Sequence, residues 1–279
     1  LKSKLIFLIT LLLLLQLQSK AGNENLPAGA RSAAMGNAAV TITDMWAAFQ
    51  NQAGLAHAKD VQIGVYNQLR YGQKELMHNA FVVAVPVKDI GTFALSASYF
   101  GYSVYNEQKI GIAYARSFGK TVSAAMQLNY NGIALNDNYY GNNSTLTFEA
   151  GMRIELTPQL VLGVHAYNPT RSKLSSYNNE RIPTTLKLGL AYLFNDKVQV
   201  AAEVEKTADV KPIFKTGVEY QFVKNMFLRA GFSTNQNHGY FGIGMQLKQL
   251  QINFAASFHQ TLGFTPHTDL GYAFSSNKR

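Results

Sequence analysis

From residue 61 onward the chain alternates apolar and polar positions with a period of two, the mark of strands whose faces meet different surroundings. Between 145 and 156, Leu146, Phe148, Ala150, Met152, Ile154 and Leu156 fall on one parity. Thr145, Thr147, Glu149, Gly151, Arg153 and Glu155 fall on the other. The sorting recurs in Val198, Val200, Ala202 and Val204, in Phe214, Val218, Tyr220 and Phe222, and in Leu250, Ile252, Phe254, Ala256 and Phe258. Fourteen such segments are predicted: 61–69, 80–87, 92–101, 108–118, 121–131, 144–156, 159–167, 184–194, 197–205, 212–222, 226–233, 239–248, 249–259 and 267–274. Soluble strands average ~5–6 residues. These runs are nearer the ~9–11 that a tilted strand needs to cross a bilayer.

The connections sort by parity. After the even-numbered segments they are minimal: Lys88–Ile90, Gly119–Lys120, Thr157–Pro158, Asn195–Asp196, Val223–Asn225 and the Lys248/Gln249 junction. After the odd-numbered segments they are expected to be longer, as in Gly132–Asn143 and Asn168–Pro183. Short turns at one end and long loops at the other belong to outer-membrane barrels. Hydrocarbon offers backbone groups no hydrogen bonds, so spanning strands must close on themselves. The fold class read from the chain is all-β: a transmembrane antiparallel β-barrel of about 14 strands over 60–274. Its apolar parity faces lipid, both ends of the barrel sit on the periplasmic side, and Tyr99, Tyr114, Tyr130, Tyr192, Tyr220 and Phe258 supply interfacial girdles. A short tail, 275–279, follows the last strand.

Composition adds the route to that membrane. Leu5–Leu15 is an eleven-residue apolar run, preceded by Lys2 and Lys4 and followed by small residues at Ser19 and Ala21. That is the layout of a secretory signal peptide over 1–21, and the run is too short for a membrane helix. Without Lys2, Lys4 and Lys20, the 25 basic residues become 22 against 16 acidic ones, a net of +6. An exported chain rarely meets nucleic acid, so this excess is not read as a nucleic-acid footprint. There is no cysteine, which excludes a disulfide scaffold and a lipoprotein anchor.

Residues 22–59 do not alternate. They are rich in Ala and Gly, with a helical stretch expected over Asp44–Gln50 and Asp44 as its cap. Met35, Val40, Ile42, Met45, Trp46, Phe49 and Leu55 need something to pack against, and the lumen is the available surface. An N-terminal plug or hatch is expected. Gly29–Ala56, GARSAAMGNAAVTITDMWAAFQNQAGLA, resembles the N-terminal signature of the PorV/PorQ family of Bacteroidetes outer-membrane proteins. That signature runs Gly-Ala-Arg, Met-Gly-Asn/Gly-Ala, an acidic residue, then Asn-Pro-Ala-Gly-Leu. The resemblance implies a FadL-like barrel of fourteen strands, a hatch, and association with the type IX secretion system. Carried over residue by residue, it assigns Arg31, Met35, Gly36, Asn37, Asp44, Asn51 and Gly54 to the hatch. One position departs: the family's Asn-Pro-Ala is here Asn51-Gln52-Ala53.

Catalytic and metal motifs are not found. The six histidines (57, 78, 165, 238, 259, 267) never pair at i, i+4, and there is no HExxH, no GxSxG and no P-loop spacing. No cofactor and no enzymatic activity are expected. The charged residues on the inward parity are Glu149, Arg153, Glu155, Lys187, Glu203, Glu205, Lys215, Glu219 and Arg229. They read either as a structural salt-bridge network or as the lining of a path, since buried charges must be paired or wet. His165 reads as a hydrogen-bonded filler. The Asn168–Pro183 loop, with Arg171, Lys173, Glu180 and Arg181, reads as solvated, or else as a contact for a surface partner or anionic lipopolysaccharide.

Two functions stay open. In the first, the chain is an interaction protein whose partners, besides outer-membrane lipid, are a secretion translocon or secreted cargo. Residues 60–279, shared among fourteen strands, leave about 16 residues for each strand and its loop. Such short loops point to an accessory or scaffold role. In the second, it is a FadL-like passive transporter of a hydrophobic small molecule. That needs an apolar pocket and a lateral gap, for which Pro86, inward in the second strand, is the one cue.

Overall fold

The structure is a computed structural model that describes residues 25–136, 141–175, 180–235 and 238–274. The expected signal peptide and the 275–279 tail lie outside the described residues. Fourteen strands follow in chain order: β1 (Val61–Leu69), β2 (Met77–Val87), β3 (Gly91–Gly101), β4 (Tyr105–Phe118), β5 (Val122–Leu135), β6 (Asn142–Glu155), β7 (Leu160–Tyr167), β8 (Thr185–Phe194), β9 (Val198–Thr207), β10 (Ile213–Val223), β11 (Met226–Ser233), β12 (His238–Leu247), β13 (Leu250–His259) and β14 (Gly263–Phe274). Each pairs with its chain neighbours, and β1 pairs antiparallel with β14 from Val61↔Phe274 to Gln68↔His267. The sheet is a closed barrel with no free edge, as a lipid-spanning sheet requires. The outward parity is apolar and uncovered; Ile112, for example, is 65% exposed. No helix among the described residues is long and apolar enough to cross a membrane.

All fourteen predicted segments are strands, but several are longer at the loop end. β2 starts at Met77, β4 at Tyr105 and β14 at Gly263, and β5 runs on to Leu135. Beyond the hydrocarbon band both faces meet polar surroundings and alternation fades. Backbone pairing continues regardless, out to Tyr105↔Leu135 between β4 and β5. This corrects the expected loop asymmetry. The Gly132–Asn143 loop shrinks to 136–141, and the β3–β4 and β13–β14 connections, 102–104 and 260–262, are as short as the turns opposite. Only the connections at 70–76 and 168–184 are long. The short end uses tight turns, as at Asn195 (φ 42) and Asp196 (φ 47), where left-handed backbone matches the twist of the flanking strands.

Two further expectations change. Pro86 leaves the ladder intact, since β2 pairs with β3 without interruption from His78↔Phe100 to Val87↔Gly91. No gap opens between β2 and β3 at this position. The 168–184 loop is not simply solvated. Leu174 and Ile182 are buried with Ile133 and Tyr167 over the lumen, and Asn168 Nδ2 donates to Ile182 O at 2.7 Å. Its charged residues Arg171, Lys173, Glu180 and Arg181 remain exposed.

The described residues before β1 run inside the barrel. They form one short helix, α1 (Ala30–Ala34), and two 3-10 turns, Met45–Phe49 and Gln52–His57. The first of these turns stands where a helix was expected, and Asp44 caps it by accepting from Trp46 N at 2.9 Å. Trp46, Phe49 and Leu55 are fully buried against Tyr66, Val82 and alanines of β2–β5. Small side chains on those strands leave room for a second layer within the lumen.

Candidate functional site

The interior is built around the N-terminal segment. Inward positions that alternation reads only as "polar or Gly" include Gly64, Gly151, Gly163, Gly189, Gly217, Gly231, Gly242 and Gly271, and each touches the segment. A Cβ at Gly163 would stand 2.5 Å from Val40 O, one at Gly217 2.5 Å from Met35 O, and one at Gly64 2.7 Å from Met45 Sδ. The first two are contacts with backbone and leave no space for a methyl group, whereas the flexible Met45 side chain would have to move aside at the third. Within the segment, Gly36 (φ 67) and Asn37 (φ 58) turn through the left-handed region, where glycine and asparagine are tolerated. Met35-Gly36-Asn37 is therefore the sequence of a left-handed turn. Gly54 packs so closely on Ile42 O that a side chain would collide with backbone.

The predicted lumen charges fall into four separate clusters, and all four bond the segment. Glu219 accepts from Arg31 (Nη2–Oε1 2.7 Å) and from Arg229 (Nε–Oε2 2.5 Å), and Arg31 also reaches Asp44 at 3.1 Å. Glu203 Oε2 accepts from Ala39 N and Val40 N at 2.9 and 2.8 Å. Its other oxygen meets Lys215, which bridges to Glu205; Glu205 lies 3.7 Å from Lys187, and Lys187 donates to Gln50 Oε1. Arg153 donates to Thr41 O at 3.1 Å, to Glu155 at 2.7 Å and to His57 Nε2 at 3.0 Å. Glu149, fully buried, accepts from Lys109 at 2.6 Å, Gln52 at 2.8 Å and Asn129 at 2.8 Å. His165 Nε2 lies 2.9 Å from the same carboxylate, so it is the hydrogen-bonded residue expected.

Burial opposes the charge on Arg31, yet Glu219 and Asp44 outweigh it and hold the guanidinium above its ordinary value. His57 shifts the other way. Burial, then the Arg153 cation, lowers its imidazole below the ordinary 6.5, and the neutral ring accepts from both Arg153 and Ser123.

Of the seven hatch residues, Arg31, Asp44 and Asn51 make these specific bonds, and Met35, Gly36 and Gly54 make the close backbone contacts. Asn37 lies in the turn that lines an upper cavity. Asn51 bonds three ways: Nδ2 to Val40 O (2.7 Å) and Met152 O (3.0 Å), and Oδ1 to Ala53 N (3.2 Å). Gln52, where the signature has proline, donates to Glu149, a bond the proline ring could not offer in that form. Sequence reasoning missed Lys109, although it is inward in β4. It also missed Asp269, whose carboxylate accepts from Ala30 N at 2.6 Å and Asn253 Nδ2 at 2.7 Å. The inward parity of β4 and β14 carried both signals.

Above the segment, at the long-loop end, lies a cavity of about 380 Å³ between β1 and β8–β14. Its walls are mostly polar, with Arg70, Lys187, Glu205 and Lys215 beside Tyr66, Tyr71 and Tyr240. It is not an apolar pocket. Among the described residues no group of three His, Cys, Asp or Glu side chains is placed to hold a metal ion.

No protein-family model and no curated protein matches the chain. Solved structures share its fold. The toluene transporter TodX of Pseudomonas putida superposes with a TM-score of 0.69 at 15% identity, covering 89% of this chain and 99% of that one. A Pseudomonas aeruginosa FadL homologue gives 0.65 at 12% identity, covering 90% and 99%. The Acinetobacter baumannii outer membrane protein Omp33 gives 0.50 at 7% identity, covering 77% and 98%. At such identities the likeness is one of fold alone: a closed antiparallel barrel of the kind these outer-membrane proteins have.

Proposed function

We propose that the chain is a non-enzymatic outer-membrane barrel held shut by its own N-terminal segment, and that it acts by contact with other proteins. Its PorV/PorQ-like motif points to an accessory or scaffold role in type IX secretion. The observation that carries this reading is the use made of the lumen: all four inward charge clusters, and inward glycines on eight strands, bind or accommodate residues 29–57. A path for solute would leave such groups facing water. Extraction of the tagged protein from native outer membranes in mild detergent, followed by mass spectrometry, tests the reading. A stoichiometric translocon barrel or secreted cargo is expected. A lone barrel carrying an apolar ligand would overturn it.

One observation favours a second reading, passive passage of a hydrophobic small molecule: the fold is shared with a toluene transporter along most of both chains. Against it stand the uninterrupted β2–β3 ladder and the polar cavity. Toluene or long-chain fatty acid uptake by proteoliposomes, above the protein-free rate, would establish this reading in place of the first.

A further inference from the structure

The cavity at the long-loop end has features that the closed lumen does not require. Arg70 lies on its wall with the guanidinium 5.3 Å above the Phe100 ring. No described carboxylate comes within ion-pair distance of Arg70, whereas Lys187 and Lys215 on the floor are already shared by Glu203 and Glu205. Its neighbour Tyr71 sits at φ 54, ψ 24, a left-handed conformation that a bulky side chain adopts only under strain. The Tyr71 N–H is held by Thr265 Oγ1 at 2.9 Å, and its ring stands edge-on to His259 at 5.7 Å. Nothing in the barrel needs that strain, since a glycine would turn the chain there without it. On the segment side, Asn25 lines the cavity and accepts from Lys109 Nζ at 2.9 Å through Oδ1.

From these groups we infer that the cavity binds an acidic sugar ring. The carboxylate would meet Arg70, which presents a planar fork of donors suited to it. Tyr71 and Tyr240, both half-buried on the wall, are the rings against which the apolar side of a pyranose would lie. The Thr207, Ser257 and Thr265 hydroxyls also line the cavity, each already in one hydrogen bond, to Thr185, His267 and the Tyr71 N–H, and each with a lone pair left for a ring hydroxyl. The volume is at the small end of ligand pockets, ~300–1,000 Å³, which suits a single ring or a disaccharide. A purely apolar guest would strip water from these walls without replacing its hydrogen bonds. The inference goes beyond the closed-lumen proposal and holds under either functional reading.

Isothermal titration of the full chain in a detergent without a sugar headgroup tests it, with D-glucuronate, D-glucose, acetate and inorganic phosphate as probes. Glucuronate is expected to bind at least about tenfold more tightly than the other three, as a charge-assisted pair plus ring contacts should give. Arg70→Gln should remove that preference over glucose. Tyr71→Gly should weaken glucuronate binding while leaving thermal stability equal or higher, because it relieves left-handed strain; a merely structural tyrosine would not behave so. A uronate-terminated oligosaccharide distinguishes the source: equal affinity indicates capture of surface glycan ends, and binding of the free sugar alone indicates a small solute. Equal binding of glucose, tighter binding of phosphate, or no heat with any probe would overturn the assignment.

Discussion

Arg31 shows how a single residue in a motif becomes structural. It joins Asp44 of its own segment to Glu219 of β10, and Arg229 completes the cluster, so each charge has an opposite neighbour. Removing one partner of a buried pair typically costs about 3–5 kcal/mol. Arg229 keeps Glu219 paired in Arg31→Ala, so the loss should fall near or below the low end of that range. The expected outcome is a segment that frays from the wall with the barrel intact, read as faster protease cleavage within 29–57 at unchanged heat-modifiable mobility. His57 makes the lower fastening depend on pH. Its lowered value means that the packed state resists protonation, so its contribution is full above about 6.5 and is lost as pH falls through the lowered value. Cleavage should accelerate in mild acid, and His57→Gln should flatten that dependence. The inward charges were legible from parity alone. Their partners were not, because half of each pair lies on a segment with no periodic signal.

At the level of elements, strand existence was legible everywhere, while strand ends and the buried loop were not. Alternation reports a difference between lipid and lumen, so it falls silent where β4, β5 and β14 rise beyond the hydrocarbon. Residues 168–184 likewise carry a polar, charged sequence that conceals two anchors, Leu174 and Ile182. Replacing Ile182 by Asn should release the loop and destabilise the protein by roughly 2–4 kcal/mol, the range for losing a buried aliphatic side chain. The measurement is hydrogen exchange at 170–184, which should rise with β1–β5 unaffected. The inward glycines are the element-scale counterpart of the plug. Gly217→Val should displace Met35 and raise exchange across 29–40, while the same change at Gly239, which has open space around it, should not.

For the whole molecule, barrel and segment form one object: the segment supplies the aromatic core that the small side chains of β2–β5 cannot form alone, and the barrel supplies the charges that satisfy the segment's backbone. Fold class was legible because fourteen strands each repeat one physical rule. Position of the segment was legible only as a need to bury apolar residues, and the upper cavity, assembled from strand ends and two loops, left no mark in the sequence order. On the proposed function, this segment, and not the loops, keeps the lumen closed. Planar-bilayer recording of the full chain beside a variant lacking residues 25–57 tests it most directly. A silent full-length protein and stepwise conductance in the truncated one are expected. Steady conductance by the full chain, or a truncated barrel that folds and stays silent, would contradict it.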